Sequence, residues 1–184
     1  VLGDFTFATG SAVEIFFHPI EGHYIGMIDG KYITDCSLLN NIPSNSVSLT
    51  VFSVVCNFES MSELSVTNNA SLESIEIGSE SLINVNTFKI DGLNELKSLK
   101  IGNNSFTKEY WGNDSRSFHV LNCAELESIE IGRYSFFDYG GEFELSNLPK
   151  LSTIKIGEIG SWSSNFISPS FVIKGSIDIT INNE

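Results

Sequence analysis

The sequence predicts a mostly β solenoid, in which stacked coils each contribute two short parallel strands and a β-rich cap precedes the first coil. Three observations predict this fold. A short motif recurs four times between residues 64 and 157, each copy holds two stretches of alternating apolar and polar residues, and equivalent polar positions carry alternating charges. A unit of this size cannot bury its apolar face alone, so successive units must stack around a shared core.

The repeat consists of two blocks, and both read as strands. The first block, L-x-x-I-x-I-G with a leucine replacing the first isoleucine in one copy, starts at positions 72, 96, 126 and 151, which gives spacings of 24, 30 and 25 residues. The second block, in which an aliphatic residue follows a phenylalanine, or in one copy a leucine, two positions later, precedes each copy and starts at Leu64, Phe88, Phe118 and Phe143. Both blocks alternate with a period of two and are too short for helices. The closing glycine predicts a corner with positive φ, and the Ser-Phe pairs at 105–106 and 135–136 predict a turn whose phenylalanine fills the interior.

The charges of the first block test the register independently. The residue between the last two apolar positions is, in order, Glu76, Lys100, Glu130 and Lys155. Equivalent residues of adjacent strands lie side by side, and opposite charges in such pairs contribute about 0.2 to 1 kcal/mol each. The alternation therefore predicts that the coils stack in this register.

The repeat also sets the domain boundaries. Residues 47–51 fit the first block one repeat upstream, so residues 46–184 are predicted to form a solenoid of about four to five coils. Residues 1–45 lack the repeat and are predicted to form an N-terminal β-rich cap, in which Asp29-Gly30 is a strong hairpin signal. Near the end, residues 171–173 restart the second block, whereas residues 177–181 follow too early for the usual register.

The motif resembles a leucine-rich repeat. The L-x-x-L-x-I pattern, the IG and SF pairs and the segment Phe143-Glu-Leu-Ser-Asn-Leu-Pro-Lys-Leu151 are similar to repeats of BspA-like surface proteins of protists. The resemblance covers roughly residues 46–175. Glycines stand near where an asparagine ladder would run, which favours a flatter, two-sheet coil. The resemblance implies a leucine-rich-repeat-like scaffold for binding or assembly, often at a cell surface, and it carries no catalytic residues.

Composition and charge exclude several classes. Ten Lys and Arg against 23 Asp and Glu give a net charge of −13, which disfavours nucleic acid and anionic lipid as partners. No apolar run approaches the roughly 18 residues of a membrane span, and Val1 begins no recognisable signal peptide, so we expect a soluble mature chain or a fragment.

The chain has three cysteines, Cys36, Cys56 and Cys123, which lack the short spacing of a zinc site or a disulfide framework. Their odd number leaves at least one free thiol. Cys56 and Cys123 are interpreted as small core residues.

No catalytic motif, phosphate loop or dinucleotide fingerprint occurs, so we predict no enzymatic activity, no cofactor and no metal. His119 aligns with Lys89 and Glu144 and is predicted to be an outward strand residue. His18 and His23 flank Pro19 in a loop, and we interpret them as solvated residues rather than metal ligands.

The candidate binding surface is the edge formed by the turns between first and second blocks. The longest insertion, residues 107–117, explains the 30-residue spacing. Aromatic and arginine side chains are enriched at interface hot spots, which gives the candidate binding residues Tyr110, Trp111, Arg116, Tyr134, Phe137, Tyr139 and Trp162. An equally supported alternative is that these aromatic residues only cover the core end of each turn.

The sequons at Asn69, Asn103 and Asn113 are candidate glycosylation sites. About three sequons are expected by chance in a chain of this composition, so their number does not indicate a compartment.

Two functions remain open. The first is recognition of a protein or a glycan through the turns, extracellular or at a cell surface. The alternative is a structural subunit that stacks end to end into an extracellular filament, because exposed strand edges are templates for pairing.

Overall fold

The computed structural model describes residues 24–108, 115–157, 164–166 and 169–175. A 3-10 helix spans Cys36–Asn40. The strands are β1 (Gly26–Ile28), β2 (Lys31–Ile33), β3 (Ser48–Val51), β4 (Glu63–Thr67), β5 (Ser74–Ile77), β6 (Thr87–Asp91), β7 (Ser98–Ile101), β8 (Ser117–Leu121), β9 (Ser128–Ile131), β10 (Glu142–Ser146), β11 (Thr153–Ile156) and β12 (Ser170–Lys174). Within these residues, no helix has the length and apolar character needed to cross a lipid bilayer.

The strands form two sheets, and the chain alternates between them. One sheet has seven strands in the order β11-β9-β7-β5-β3-β1-β2, and the other has five in the order β12-β10-β8-β6-β4. All pairs from β3 onwards are parallel, so each coil adds one strand to each sheet. Strands β3 to β10 make four coils, and β11 and β12 belong to a fifth. The predicted mostly β solenoid with two parallel strands per coil is confirmed.

The core lies between the two sheets and is built by stacking equivalent residues. Phe88 stacks on Phe118 with ring centroids 5.2 Å apart, and Phe118 stacks on Phe143 at 4.9 Å. The phenylalanines of the Ser-Phe turns, Phe106 and Phe136, stack at 4.5 Å and are fully buried. Burying such a side chain contributes about 1.5 to 3 kcal/mol, so these columns hold the coils together.

A buried serine column explains the serine of the same pairs. Ser81, Ser105 and Ser135 are fully buried. The Ser105 hydroxyl donates to the carbonyl of Gly78 at 2.7 Å and accepts from the backbone N–H of Ser81 at 3.3 Å. A buried polar backbone group without a partner is costly, and the small hydroxyl supplies that partner inside each turn.

The prediction that the glycine closing the first block adopts positive φ is wrong for three of its four copies. Only Gly157 has positive φ, at 72°. At Gly78 an added Cβ would lie 2.5 Å from the backbone nitrogen of Ser53, and Gly102 and Gly132 are equally crowded by the preceding coil. Glycine is required there because the backbones of adjacent coils approach too closely for a side chain.

The predicted charge register is confirmed. Glu76 pairs with Lys100, Lys100 with Glu130, and Glu130 with Lys155 along the seven-stranded sheet. The Lys100 ammonium lies 3.3 Å from the Glu76 carboxylate, and the Lys155 ammonium lies 2.8 Å from that of Glu130. The hydrogen bond from Lys155 holds the pKa of Glu130 below its usual value.

Lys100→Glu should lower the free energy of unfolding by about 1 kcal/mol at low ionic strength, because it places three carboxylates side by side. Thermal unfolding with and without added salt measures the effect, which salt should reduce. Lys108→Glu makes the same charge change in a turn and is the control. Equal melting temperatures for the two variants would contradict the proposed importance of the charge row.

The N-terminal end of the solenoid is covered. The hairpin β1–β2, with Asp29 and Gly30 at its turn as predicted, pairs antiparallel with β3 and extends the seven-stranded sheet. On the five-stranded sheet, the Asn40 side chain accepts from the N–H of Ser65 at 2.6 Å and donates to the carbonyl of Glu63 at 3.0 Å. Asn40 therefore occupies hydrogen-bonding groups of edge strand β4 that another strand could otherwise use.

A disulfide that the cysteine spacing did not predict joins this cap to the first coil. Cys36 and Cys56 are bonded, with an S–S distance of 2.06 Å. Cys56 occupies the position that Phe106 and Phe136 take in later coils, and its φ of 56° matches theirs. Cys56 is buried, as predicted. Cys123 is a free cysteine that is also buried as predicted, and desolvation raises the pKa of its thiol to about 11. Such a thiol is unreactive at neutral pH.

Candidate functional site

The turns that leave the seven-stranded sheet and enter the five-stranded sheet lie along one edge of the solenoid, here called the turn edge. An open groove of about 590 Å³ runs along it. Its lining comes from four successive coils and comprises Val54, Asn57, Glu80, Ile83, Asn104, Thr107, Lys108, Tyr134 and Phe137. Adjacent strands are about 4.8 Å apart, so a groove that crosses four coils is about 14 Å long.

One residue per coil projects into the groove from a left-handed backbone. Val54, Glu80, Asn104 and Tyr134 follow the first block at the same offset, and their φ values are 61°, 57°, 54° and 59°. Their backbones are tied across coils, for example by the N–H of Glu80, which donates to the carbonyl of Asn103 at 2.8 Å. The turn geometry therefore fixes the direction of these four side chains.

Val54 is the unusual member of this row. Its side chain is 65% exposed, and a β-branched residue is disfavoured in the left-handed region, where asparagine or glycine is tolerated far better. An exposed valine thus occupies a position where a polar residue would be more stable. Backbone strain of this kind concentrates at functional sites.

Two half-buried hydrogen-bonding side chains hold the groove walls. Asn57 donates to the carbonyl of Glu80 at 2.9 Å and accepts from the N–H of Ile83 at 3.1 Å. Thr107 donates to the carbonyl of Tyr134 at 2.6 Å and accepts from the N–H of Phe137 at 3.0 Å. Each of these residues fixes the turn of the following coil. The walls are thus preorganised, which lowers the entropy lost when a ligand binds.

The groove combines an apolar surface with polar groups at its rim. Val54, Ile83, Tyr134 and Phe137 form the apolar part, and the rings of Tyr134 and Phe137 lie 6.4 Å apart. The side chains of Glu80, Asn104 and Lys108 make no hydrogen bond or ion pair with any other described residue. They are therefore free to contact a ligand.

Arg116 and Tyr139, which the sequence placed on the accessible edge, lie instead beneath the groove and are 2% and 1% exposed. The Arg116 guanidinium pairs with buried Asp138, stacks 4.7 Å from the centre of the Tyr139 ring and donates to the carbonyls of Ile83, Val85 and Phe106. Asp138 also accepts from the N–H of Lys108 at 3.2 Å. Burial raises the pKa of Tyr139. These two residues support the groove from below and cannot contact a partner directly.

The remaining predicted residues divide between the groove and the part of the chain that is not described. Tyr134 and Phe137 line the groove, on the edge where they were predicted. The part of the chain that is not described contains four further candidates, Tyr110, Trp111, Trp162 and the sequon residue Asn113, together with His18 and His23.

The other two sequon residues are described. Asn69 is buried, and its amide donates to the carbonyl of Pro43 at 2.8 Å, so a glycan there would have to displace this bond. Asn103 is exposed.

The sequence reasoning missed five groove residues outside the insertion, namely Val54, Asn57, Glu80, Ile83 and Asn104. The repeat itself carried the signal, because each of the four left-handed residues stands three positions after the last apolar residue of the first block.

Comparison with known proteins adds no further assignment: no protein-family model, no curated protein and no solved structure matches this chain.

Proposed function

We propose that this chain is a non-enzymatic recognition scaffold that binds an extended segment of another protein in the turn-edge groove. The observation that carries the proposal is the row of four left-handed residues, in which an exposed valine stands at a position that disfavours it. The leucine-rich-repeat-like motif is consistent with a scaffold of this kind.

The chemistry of the groove favours a protein segment over a glycan. Val54 and Ile83 are aliphatic and offer no hydrogen bond, whereas sugar hydroxyls require many. An extended segment spans about 3.3 Å per residue, so the groove accommodates about four residues whose apolar side chains point inwards. The net charge of −13 favours a segment that also carries lysine or arginine, and within the groove the unpaired Glu80 carboxylate can pair with such a side chain while the Lys108 ammonium can pair with an acidic one.

The Cys36–Cys56 disulfide supports an oxidising compartment, such as the cell exterior or surface. Structural disulfides persist there and are rare in reducing cytosol. The buried, high-pKa thiol of Cys123 is compatible with the same environment, because it is poorly available for exchange.

End-to-end assembly is the second candidate. Phe171 and Ile173 on β12 are 60% and 54% exposed, whereas the equivalent Phe143 and Leu145 on β10 are buried. A filament also needs a complementary surface at the opposite end, and there the hairpin covers β3 and Asn40 occupies groups of β4, so that among the described strands at that end only β2 presents an edge. The groove therefore has the stronger support.

Selection from phage-displayed random linear peptides tests the proposal. We expect recovered peptides to combine apolar residues with lysine or arginine, and Val54→Asn to weaken a selected peptide by about 10-fold, or about 1.4 kcal/mol. The same substitution should leave stability equal or higher, by up to about 1 kcal/mol, because asparagine tolerates positive φ.

Val47→Asn is the matched control, since Val47 is 46% exposed and lies outside the groove. Equal weakening by Val54→Asn and Val47→Asn, or the absence of any selected peptide, would contradict the proposal. Binding to a glycan array that Val54→Asn abolishes, without any peptide binding, would assign the groove to a glycan instead.

A further inference from the structure

A second cluster of functional groups lies on the outward face of the five-stranded sheet, away from the turn edge. His119 on β8 is directly beside Glu144 on β10, and Glu142 lies two residues before Glu144 on the same face of the same strand. Each residue offers one ligand atom, and these atoms all lie within 4.8 Å of one another. We infer that His119, Glu142 and Glu144 form a binding site for a divalent transition-metal ion of the zinc class.

The distances suit such an ion. Ligand atoms around a tetrahedral zinc ion, with bonds of about 2.1 Å, lie about 3.4 Å apart. The His119 Nδ1 and a carboxylate oxygen of Glu144 are 3.5 Å apart, so this pair already has the required separation. The Glu142 side chain is exposed and can close the remaining distance by a change of rotamer. One imidazole and two carboxylates are ligands that zinc accepts, and they leave one coordination position for water.

The neighbouring charges leave the ligand atoms accessible. Lys174 contacts the other carboxylate oxygen of Glu144, at 3.1 Å, and is itself 64% exposed. Lys89, beside His119 on β6, pairs with Asp91 at 3.0 Å instead. Glu142 forms no ion pair or side-chain hydrogen bond with any other described residue. Two carboxylates and an imidazole therefore converge on a point that no described lysine occupies.

The chemical consequence is a cross-link between coils. His119 belongs to the third coil and the two glutamates to the fourth, so a bound ion joins two adjacent coils of one sheet. Any ligand that binds only the folded chain stabilises it. We therefore expect Zn²⁺ to bind with 1:1 stoichiometry and to raise the melting temperature of the purified protein.

Titration calorimetry with ZnCl₂ and thermal unfolding with and without Zn²⁺ test this inference on the full chain. His119→Ala and Glu142→Gln should each weaken binding at least about 10-fold and remove the rise in melting temperature. Both positions are outward, so circular dichroism should show that both variants remain folded.

The double variant His18→Ala/His23→Ala controls for zinc held by the other two histidines, and it should bind as the unsubstituted chain does. Lys174→Met should leave binding equal or tighter, because it frees Glu144. Absence of saturable binding, binding unchanged by His119→Ala, or binding lost only in His18→Ala/His23→Ala would overturn the inference. None of these outcomes bears on the turn-edge groove, so the two proposals fail independently.

Discussion

Gly102→Ala is expected to lower the free energy of unfolding by about 3 kcal/mol, although it adds only one methyl group. The new Cβ would lie 2.6 Å from the backbone nitrogen of Ser79 and 2.8 Å from the carbonyl carbon of Gly78. Both atoms belong to the preceding coil, and neither can move without disturbing the backbone hydrogen bond from Gly102 to Ile77 at 2.7 Å. Denaturant unfolding followed by circular dichroism measures the loss.

Gly92→Asn is the matched control for this substitution. Gly92 has a φ of 74° and open space around it, and Asn68, Asn122 and Asn147 take the equivalent position in other coils with φ near 55°. Asparagine should therefore fit at residue 92 with a change of less than about 0.5 kcal/mol. Similar losses in the two variants would mean that the coils are not packed as closely as the structure shows.

The sequence predicted the strands and their stacking well, for physical reasons that particular residues show. Alternation with a period of two specifies which face is buried, so Phe88 and Phe118 could be placed inside and aligned with one another. The row from Glu76 to Lys155 indicated the register, because that alignment places opposite charges side by side in every coil.

The remaining features depend on distances across the fold that local patterns do not encode. Cys36 and Cys56 meet only because the cap folds back onto the first coil, and a separation of 20 residues does not predict that contact. The positive φ of Val54 cannot be predicted from its neighbours either, since Val54 lies in an apolar run that is typical of a strand. Arg116 stands between two serines in an insertion, which reads as an exposed loop.

The groove could be predicted only in part for the same reason. Tyr134 and Phe137 were assigned to the turn edge from residue type and stacking alone. The groove itself depends on hydrogen bonds between coils, such as those of Asn57 and Thr107, whose partners are 23 to 30 residues away in sequence. A motif search within one repeat cannot detect them.

Arg116→Met is expected to have the largest effect, a loss of about 3 to 5 kcal/mol, because it leaves the buried Asp138 carboxylate without its cation. It also removes the donors to the carbonyls of Ile83, Val85 and Phe106, which belong to two different coils. Because Ile83 lines the groove, binding of a selected peptide should weaken together with stability.

A double-mutant cycle with Asp138→Leu separates the ion pair from the carbonyl contacts. Replacing both charges by apolar groups removes the unpaired carboxylate, so the double variant should be more stable than Arg116→Met alone, with a coupling of about 2 kcal/mol or more. It should not regain full stability, since the carbonyls of Ile83 and Phe106 still lack the Arg116 donor and Lys108 loses its bond to Asp138. Additive losses in the two single variants would show that Arg116 and Asp138 act separately. A loss below about 1 kcal/mol for Arg116→Met would mean that the Arg116 guanidinium lies in solvent rather than under the groove.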